Sequence, residues 1–241
     1  MKRTRFIACE ILARESARCV SRSTQTVDLT LLPKRLHDIG EAQMSKALQE
    51  EIDRTDESVY DRICLGYGLC NNGVRGLTAK LPMVLPRGHD CITLLLGSRK
   101  AYDDLFSSRP GTIYRSPGWI ERDDGLDPGR PDNLYAEYLE KYGEENARYL
   151  AETLGGWTKN YTHLVYIDTA VVPSETFKEK ARQEAEKNGW TFEIIQGNTS
   201  LLQDLLDGTG NPADFLIIPP GAKIEASIGP DIVRCTACLS S

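Results

Sequence analysis

Short apolar runs of strand length recur along the chain, and segments with helical spacing lie between most of them. RFIACEIL (5–12), TVDLTLL (26–32), YDRICLGYGLC (60–70) and PMVLP (82–86) occupy the first half. THLVYID (162–168), TFEIIQG (191–197) and DFLIIPPG (214–221) occupy the last third. Runs this short and this uniformly apolar suit strands buried on both faces, which occur chiefly in parallel sheets covered by helices. The helical segments fit that frame. EAQMSKALQEEIDR (41–54), DCITLLLGSRKAYDDLF (90–106), SETFKEKARQEAEKNG (174–189) and SLLQDLLDG (200–208) carry apolar residues at helical intervals, the last two closed by Gly189 and Gly208. A further helix is expected over LYAEYLEKYGEENARYLAETLGGW (134–157), with Leu139, Tyr142, Leu150 and Leu154 on its apolar side and a break near Gly143. Between the first two strands the chain reads as an exposed linking segment. GLTAK (76–80) reads as a short helix, and PGTIYRSPGWIE (110–121) as a short extended piece punctuated by proline and glycine.

The expected fold class is therefore α/β: a Rossmann-like, doubly wound parallel sheet or sheets flanked by helices. The order RFIACE, TVDLT, ALQEEID, DRICLGYG resembles the order LVYID, TFEII, LLQDLLD, DFLIIPPG, which suggests a weak internal duplication. RDDGLDPGRPDN (122–133), dense in charge and turn residues, reads as an exposed loop between lobes. The expected division is an N-terminal α/β lobe at 1–122 and a C-terminal one at 134–241, with a ligand site near their interface.

A net charge of −6 excludes a dominant electrostatic footprint for nucleic acid, which needs a basic face to displace counterions. No apolar stretch is long enough to span a membrane. Glu10, Arg14 and Glu15 interrupt the first apolar run too early for a signal peptide, so a cytoplasmic location is expected. Seven cysteines, an odd number, then read as reduced thiols rather than a disulfide framework.

In doubly wound sheets, ligands bind beyond the carboxyl ends of the strands, near a reversal of strand order. Cys9 and Glu10 end the first strand, Cys70 follows the third, and His89, Asp90 and Cys91 follow the fourth. If these strands are parallel neighbours, Cys9, Cys70, His89 and Cys91 converge on one edge, with His37 near the same edge. Sulfur and imidazole donors suit zinc and other borderline or soft metals, although the spacing matches no finger motif. Asp90 would either cap the helix starting at Cys91 or orient His89, and the cap is the simpler reading. Cys91, in the first helical turn, is expected to have its thiolate favoured. Cys64 reads as core. Cys235 and Cys238 form a lone CxxC that would be a redox pair, half a metal site or incidental.

LGYGLCNNGVRG carries Gly66 and Gly68 where backbone could approach a cofactor closely, but it fits neither GxGxxG nor GxxxxGK[ST]. Tyr114, Arg115 and Trp119 are candidates for the rim of a cofactor pocket or docking surface, with core packing an equal reading for Trp119. Neither a serine nucleophile elbow nor HExxH is present. A thiol-dependent enzyme using Cys70 or Cys91 with His89 as base, and a cofactor carrier, remain as alternatives to the metal site. Whether the protein is an enzyme is left open.

ACEIL (8–12), LH (36–37), LGYGLCNNGVRGL (65–77), LPRGHDCITLLLGS (85–98), PGTIYRSPGWIE (110–121), YID (166–168) and LIIPPG (216–221) together resemble the bacterial and archaeal family catalogued as domain of unknown function (DUF) 1638. The resemblance implies a shared polar site at Cys9, His37, Cys70, His89 and Cys91. It also implies a setting in one-carbon, corrinoid-dependent methyl metabolism. The candidate ligands are then a small molecule or metallocofactor, with zinc or another transition metal and a corrinoid as cofactors. A corrinoid protein or methyltransferase would be the partner.

Overall fold

The computed structural model describes residues 3–37, 40–123, 135, 139, 143–149 and 160–236. It is a mixed α/β fold with several sheets flanked by helices. The first sheet has the order β2-β1-β3-β4-β8, built from Thr26–Leu32 (β2), Arg3–Cys9 (β1), Arg62–Gly66 (β3), Met83–Pro86 (β4) and Phe215–Ile218 (β8). The first four strands run parallel, and β8 lies antiparallel to β4. β1 has β2 on one side and β3 on the other, so the strand order reverses beside β1. The carboxyl ends of β1, β3 and β4 consequently share one edge.

Alternation along β1 explains why both faces are buried. Phe6 and Ala8 point into one core with Cys64, Cys19 and the leucines of three helices. Ile7 points into the other with Ile63, Leu65, Met83 and Leu85. Helix α1 (Ala13–Arg22), α2 (Glu41–Asp53), α3 (Cys91–Leu96) and α4 (Arg99–Ser108) cover these faces. β5 (Thr112–Arg115), β6 (His163–Asp168) and β7 (Thr191–Gln196) form a second, parallel sheet in the order β5-β6-β7. α5 (Pro117–Glu121) follows β5, α6 (Glu175–Asn188) links β6 to β7, and α7 (Ser200–Asp207) precedes β8. Val165 and Ile167 of β6 enter the same core as α3 and α7, so the two sheets share apolar packing. β9 (Ile224–Ala226) and β10 (Val233–Cys235) form an antiparallel pair over the other core.

The sheets do not follow a division at 1–122 and 134–241. β5 pairs into the second sheet, and β8 returns to the first. β1-β2 and β6-β7 are each an adjacent parallel pair, whereas β8 pairs with β4 and not with β6.

Four local differences from the sequence reading have physical causes. The expected linking segment after β1 is α1, whose buried residues are Glu15, Ser16 and Cys19, so its inner face carries no large apolar residue to mark it. The single helix expected over 90–106 is two: Gly97 adopts a left-handed conformation at φ 70°, and Ser98 caps the next helix through the Ala101 N–H. PGTIYRSPGWIE is not extended throughout, since Ser116 caps α5 with proline in its first turn. GLTAK forms a turn and irregular chain rather than a helix. The helix expected over 134–157 lies mostly outside the described residues; 143–149 are helical.

Glu15 of α1 is only 2% exposed and accepts a hydrogen bond from Thr169 Oγ1 at 2.6 Å. Burial pushes its carboxyl above the ordinary value, outweighing the Thr169 bond. The folded state then binds more protons than the unfolded chain, so stability falls as pH rises from about 4.5 and levels off above the folded-state pKa. Glu15→Gln is expected to remove that decline. Urea midpoints at pH 5 and pH 8 check it: the wild type loses stability between them, and the variant does not.

Candidate functional site

Three thiol-bearing residues lie at or just beyond the shared strand edge. Cys9 ends β1, Cys70 lies four residues beyond β3, and Cys91 opens α3 just past β4. Their charges act on one another: Cys9 raises the pKa of both Cys70 and Cys91, and Cys70 raises that of Cys91. Cys70 and Cys91 are buried, at 5% and 8% exposure, while Cys9 is half-buried between the two cores.

The chain brings Cys70 and Cys91 together by a close backbone approach. Leu69 and Cys70 donate their N–H groups to the carbonyls of Gly88 and His89, each at 2.8 Å. This extends the β3-β4 pairing past the strand ends. Gly68 permits it, because a Cβ there would lie 2.7 Å from both Asp90 N and Gly88 O. Beyond Gly68 the chain turns through three consecutive left-handed residues, Cys70 (φ 45°), Asn71 (55°) and Asn72 (65°), closed by Gly73 N–H to Cys70 O at 3.0 Å. Asparagine tolerates this region, but cysteine rarely adopts it. Gly66 has a different cause: a Cβ there would meet Ala8 and Phe6, so it is required by sheet packing rather than by a ligand.

Asp90 is the cap of α3, accepting from Ile92 N–H at 2.9 Å and from Tyr102 Oη at 3.1 Å. Burial raises its pKa despite these bonds. Cys91 departs from expectation: burial, then Asp90, Cys70 and Cys9, push its thiol well above the ordinary range. The first turn of a six-residue helix does not offset an adjacent acid and a dry surround. The Cys70 thiol is also raised, first by burial and then by Asp90 and Cys9, although the N–H groups of Gly68 and Cys91 act on its sulfur in the opposite sense.

His89 and His37 are not buried with the thiols. His89 is exposed, its ring stacked on Tyr102 at 5.8 Å, and Tyr102 stacks in turn on Phe106 at 5.9 Å. His37 is exposed at the end of the 3-10 turn Lys34–His37. The buried cation there is Lys34, whose Nζ lies 5.5 Å from the centre of the Trp119 ring and whose N–H donates to Glu10 Oε1 at 2.8 Å. Trp119 packs against the core containing Cys91, and its indole N–H is buried without a partner. Tyr114, half-buried on β5, has its pKa raised by burial and then by Asp90. Arg115 faces away, paired with Glu184 of α6 at 2.5 Å.

Tyr67 belongs to the site and was not singled out from sequence, though a tyrosine between two glycines after a strand is a legible signal. It is 2% exposed, and its hydroxyl has no hydrogen-bond partner. Burial raises its pKa, with further contributions from Cys9, Cys70, Cys91 and Glu10 in that order. Cys64, its thiol pushed up to about 12 by burial, and Cys19, at about 11, are core residues apart from this group. Cys235 is buried on β10, and Cys238 lies outside the described residues.

Among the described residues, no three of the His, Cys, Asp and Glu side chains surround a single point as one bound ion would require. Among them too, no helix is long and apolar enough to cross a membrane. No curated protein and no solved structure matches the chain. A family model described as protein of unknown function (DUF1638) matches residues 31–206, which hold Tyr67, Gly68, Cys70, Asp90, Cys91 and Trp119. That span is well over half of the chain and includes two of the three converging thiols, so the chain belongs to the DUF1638 family.

Proposed function

We propose that this protein binds a soft or borderline metal ion, zinc or another transition metal, or a metallocofactor, through Cys9, Cys70 and Cys91. The observation that carries the reading is the convergence of three thiols from three strand ends beside the reversal of strand order. Burial and neighbouring groups raise the thiol pKa of Cys70 and of Cys91, and a cation is the partner that would favour all three thiolates together. Backbone N–H groups of Gly68 and Cys91 beside the Cys70 sulfur would support a thiolate there. A bound cation would supply Lewis acidity and deprotonate a coordinating thiol. His89 and His37, both exposed, are left out of this ligand set.

The alternative of a cysteine nucleophile with His89 as base is less well supported. Such a site needs a depressed thiol pKa, and those of Cys70 and Cys91 are raised. The doubly wound reading of the first sheet, a cytoplasmic setting and a role in one-carbon metabolism belong to the same proposal. A corrinoid enters this proposal only through a partner protein. A corrinoid protein or methyltransferase stands as the candidate partner.

Protein purified without oxygen is expected to carry about one equivalent of transition metal per chain, measured by elemental analysis. Cys70→Ser and Cys91→Ser should each lower that content at least tenfold while leaving circular dichroism unchanged. Wild-type protein without stoichiometric metal, and without affinity for added zinc or cobalt, would overturn the reading.

A further inference from the structure

We infer that the open cleft between α1, α5 and the loop after β6 binds a small organic anion, its oxyanion group held by Arg18 and Arg122 and its apolar body laid over Ala17 and against Val171 and Val172. The inference goes beyond the metal reading and does not depend on it, since none of Cys9, Cys70 and Cys91 lines the cleft.

The cleft has a volume of about 770 Å³, within the range of small-molecule sites. Two of its walls follow the carboxyl ends of strands in one parallel sheet, α5 after β5 and residues 171–172 after β6, and the third is α1, which follows β1. That is the edge at which parallel sheets take ligands. Arg14, Arg18 and Arg122 line it with one carboxylate, Glu121, so a chain of net charge −6 gathers positive charge here. Arg14 is committed, its Nε donating to both Glu121 oxygens at 2.9 and 2.8 Å. Arg18 donates instead to a neutral acceptor, the Ala170 carbonyl, at 3.1 Å, and Arg122 reaches Glu10 only at 3.7 Å. Both guanidinium groups keep donors for a ligand, and their planar fork matches an oxyanion.

The walls are tied to one another. Thr169 Oγ1 bonds the buried Glu15 of α1, Arg18 bonds Ala170, and Gly118 sets α5 against the Ile11 backbone. Asp168 fixes the loop itself, accepting from Ala170 N–H at 2.9 Å and from Ser174 Oγ at 3.0 Å. A cleft held open in this way binds with little ordering cost. Ala13 and Ala17, one turn apart on α1, leave the space that longer side chains would fill.

Phenyl phosphate and benzoate share an aromatic body and differ in oxyanion. Each is titrated into the intact chain at low ionic strength by isothermal calorimetry. At least one is expected to bind saturably, and the tighter one says whether phosphate or carboxylate is preferred. Arg18→Gln should weaken that binding about tenfold, the worth of one hydrogen bond to a charged acceptor. Ala17→Leu keeps every arginine and fills the floor; Ala17 is exposed, so the fold tolerates the change, and binding should fall by about tenfold or more. Arg22 is an exposed arginine of α1 outside the cleft, and Arg22→Gln should leave affinity unchanged. Wild-type protein that binds neither probe overturns the inference. So does full affinity in Arg18→Gln, or an equal loss in Arg22→Gln, which would mean diffuse attraction. Full affinity in Ala17→Leu would put the anion elsewhere and also overturn it, and this arm decides alone if Arg18→Gln does not fold. Metal content enters none of these outcomes, so the metal reading stands or falls separately.

Discussion

Gly118→Ala is expected to destabilise the protein by about 3 kcal/mol or more, although Gly118 lies in α5, where helix propensity alone would favour alanine by up to ~1 kcal/mol. The two effects have opposite signs, and the structure decides between them. A Cβ at Gly118 would run directly into the carbonyl oxygen and backbone of Ile11. That backbone belongs to the 3-10 turn Glu10–Leu12, whose Ile11 and Leu12 are buried, so it has no room to yield. α5 therefore sits on the turn that follows Cys9, and the glycine is the contact surface. Thermal denaturation should show a midpoint lower by roughly 10 °C. An unchanged or raised midpoint would mean that α5 does not pack against residues 10–12.

Gly68→Ala is expected to act on both stability and the site. Its Cβ would be pressed between Asp90 N and Gly88 O, both backbone atoms, at 2.7 Å. Relief requires the segments at 68–70 and 88–91 to separate, which breaks the bonds from Leu69 and Cys70 to Gly88 and His89. Two backbone hydrogen bonds and the strain together correspond to about 2–3 kcal/mol. Because the same approach sets the distance between Cys70 and Cys91, metal affinity should fall at least tenfold even in the fraction that stays folded. Competition for zinc with a chelating dye measures this. Wild-type affinity in a destabilised Gly68→Ala protein would show that the two thiols do not share a ligand.

Most strands were legible because each is short, apolar and bounded by turn residues, and in β3 and β6 burial on both faces leaves no alternation to confuse the pattern. The shared edge followed from parallel order alone, which is why Cys9, Cys70, His89 and Cys91, with His37 near them, could be assigned to one edge before any geometry was known. α1 was illegible because its inward residues are Ser16, Cys19 and a buried glutamate, types that read as surface. The partition of strands between sheets was equally hidden: β5 and β8 pair across the middle of the chain, and nothing local to either run specifies its partner. Side-chain direction was hidden for a related reason. Placement after a strand brings a residue to the right edge but does not turn its side chain inward. At 89 and 37 the rings face solvent, whereas Lys34 and Tyr67 are the buried polar side chains. Gly97 followed by Ser98, a left-handed stop and then a cap, was a readable break that a continuous apolar count overlooked.

The most direct test of the central claim is the count of sulfur neighbours around the metal by X-ray absorption on zinc-loaded wild-type protein. Three sulfurs at about 2.3 Å with one lighter neighbour are expected, falling to two in Cys9→Ser if that variant retains the ion. A first shell of nitrogen and oxygen alone would contradict a site formed by Cys9, Cys70 and Cys91.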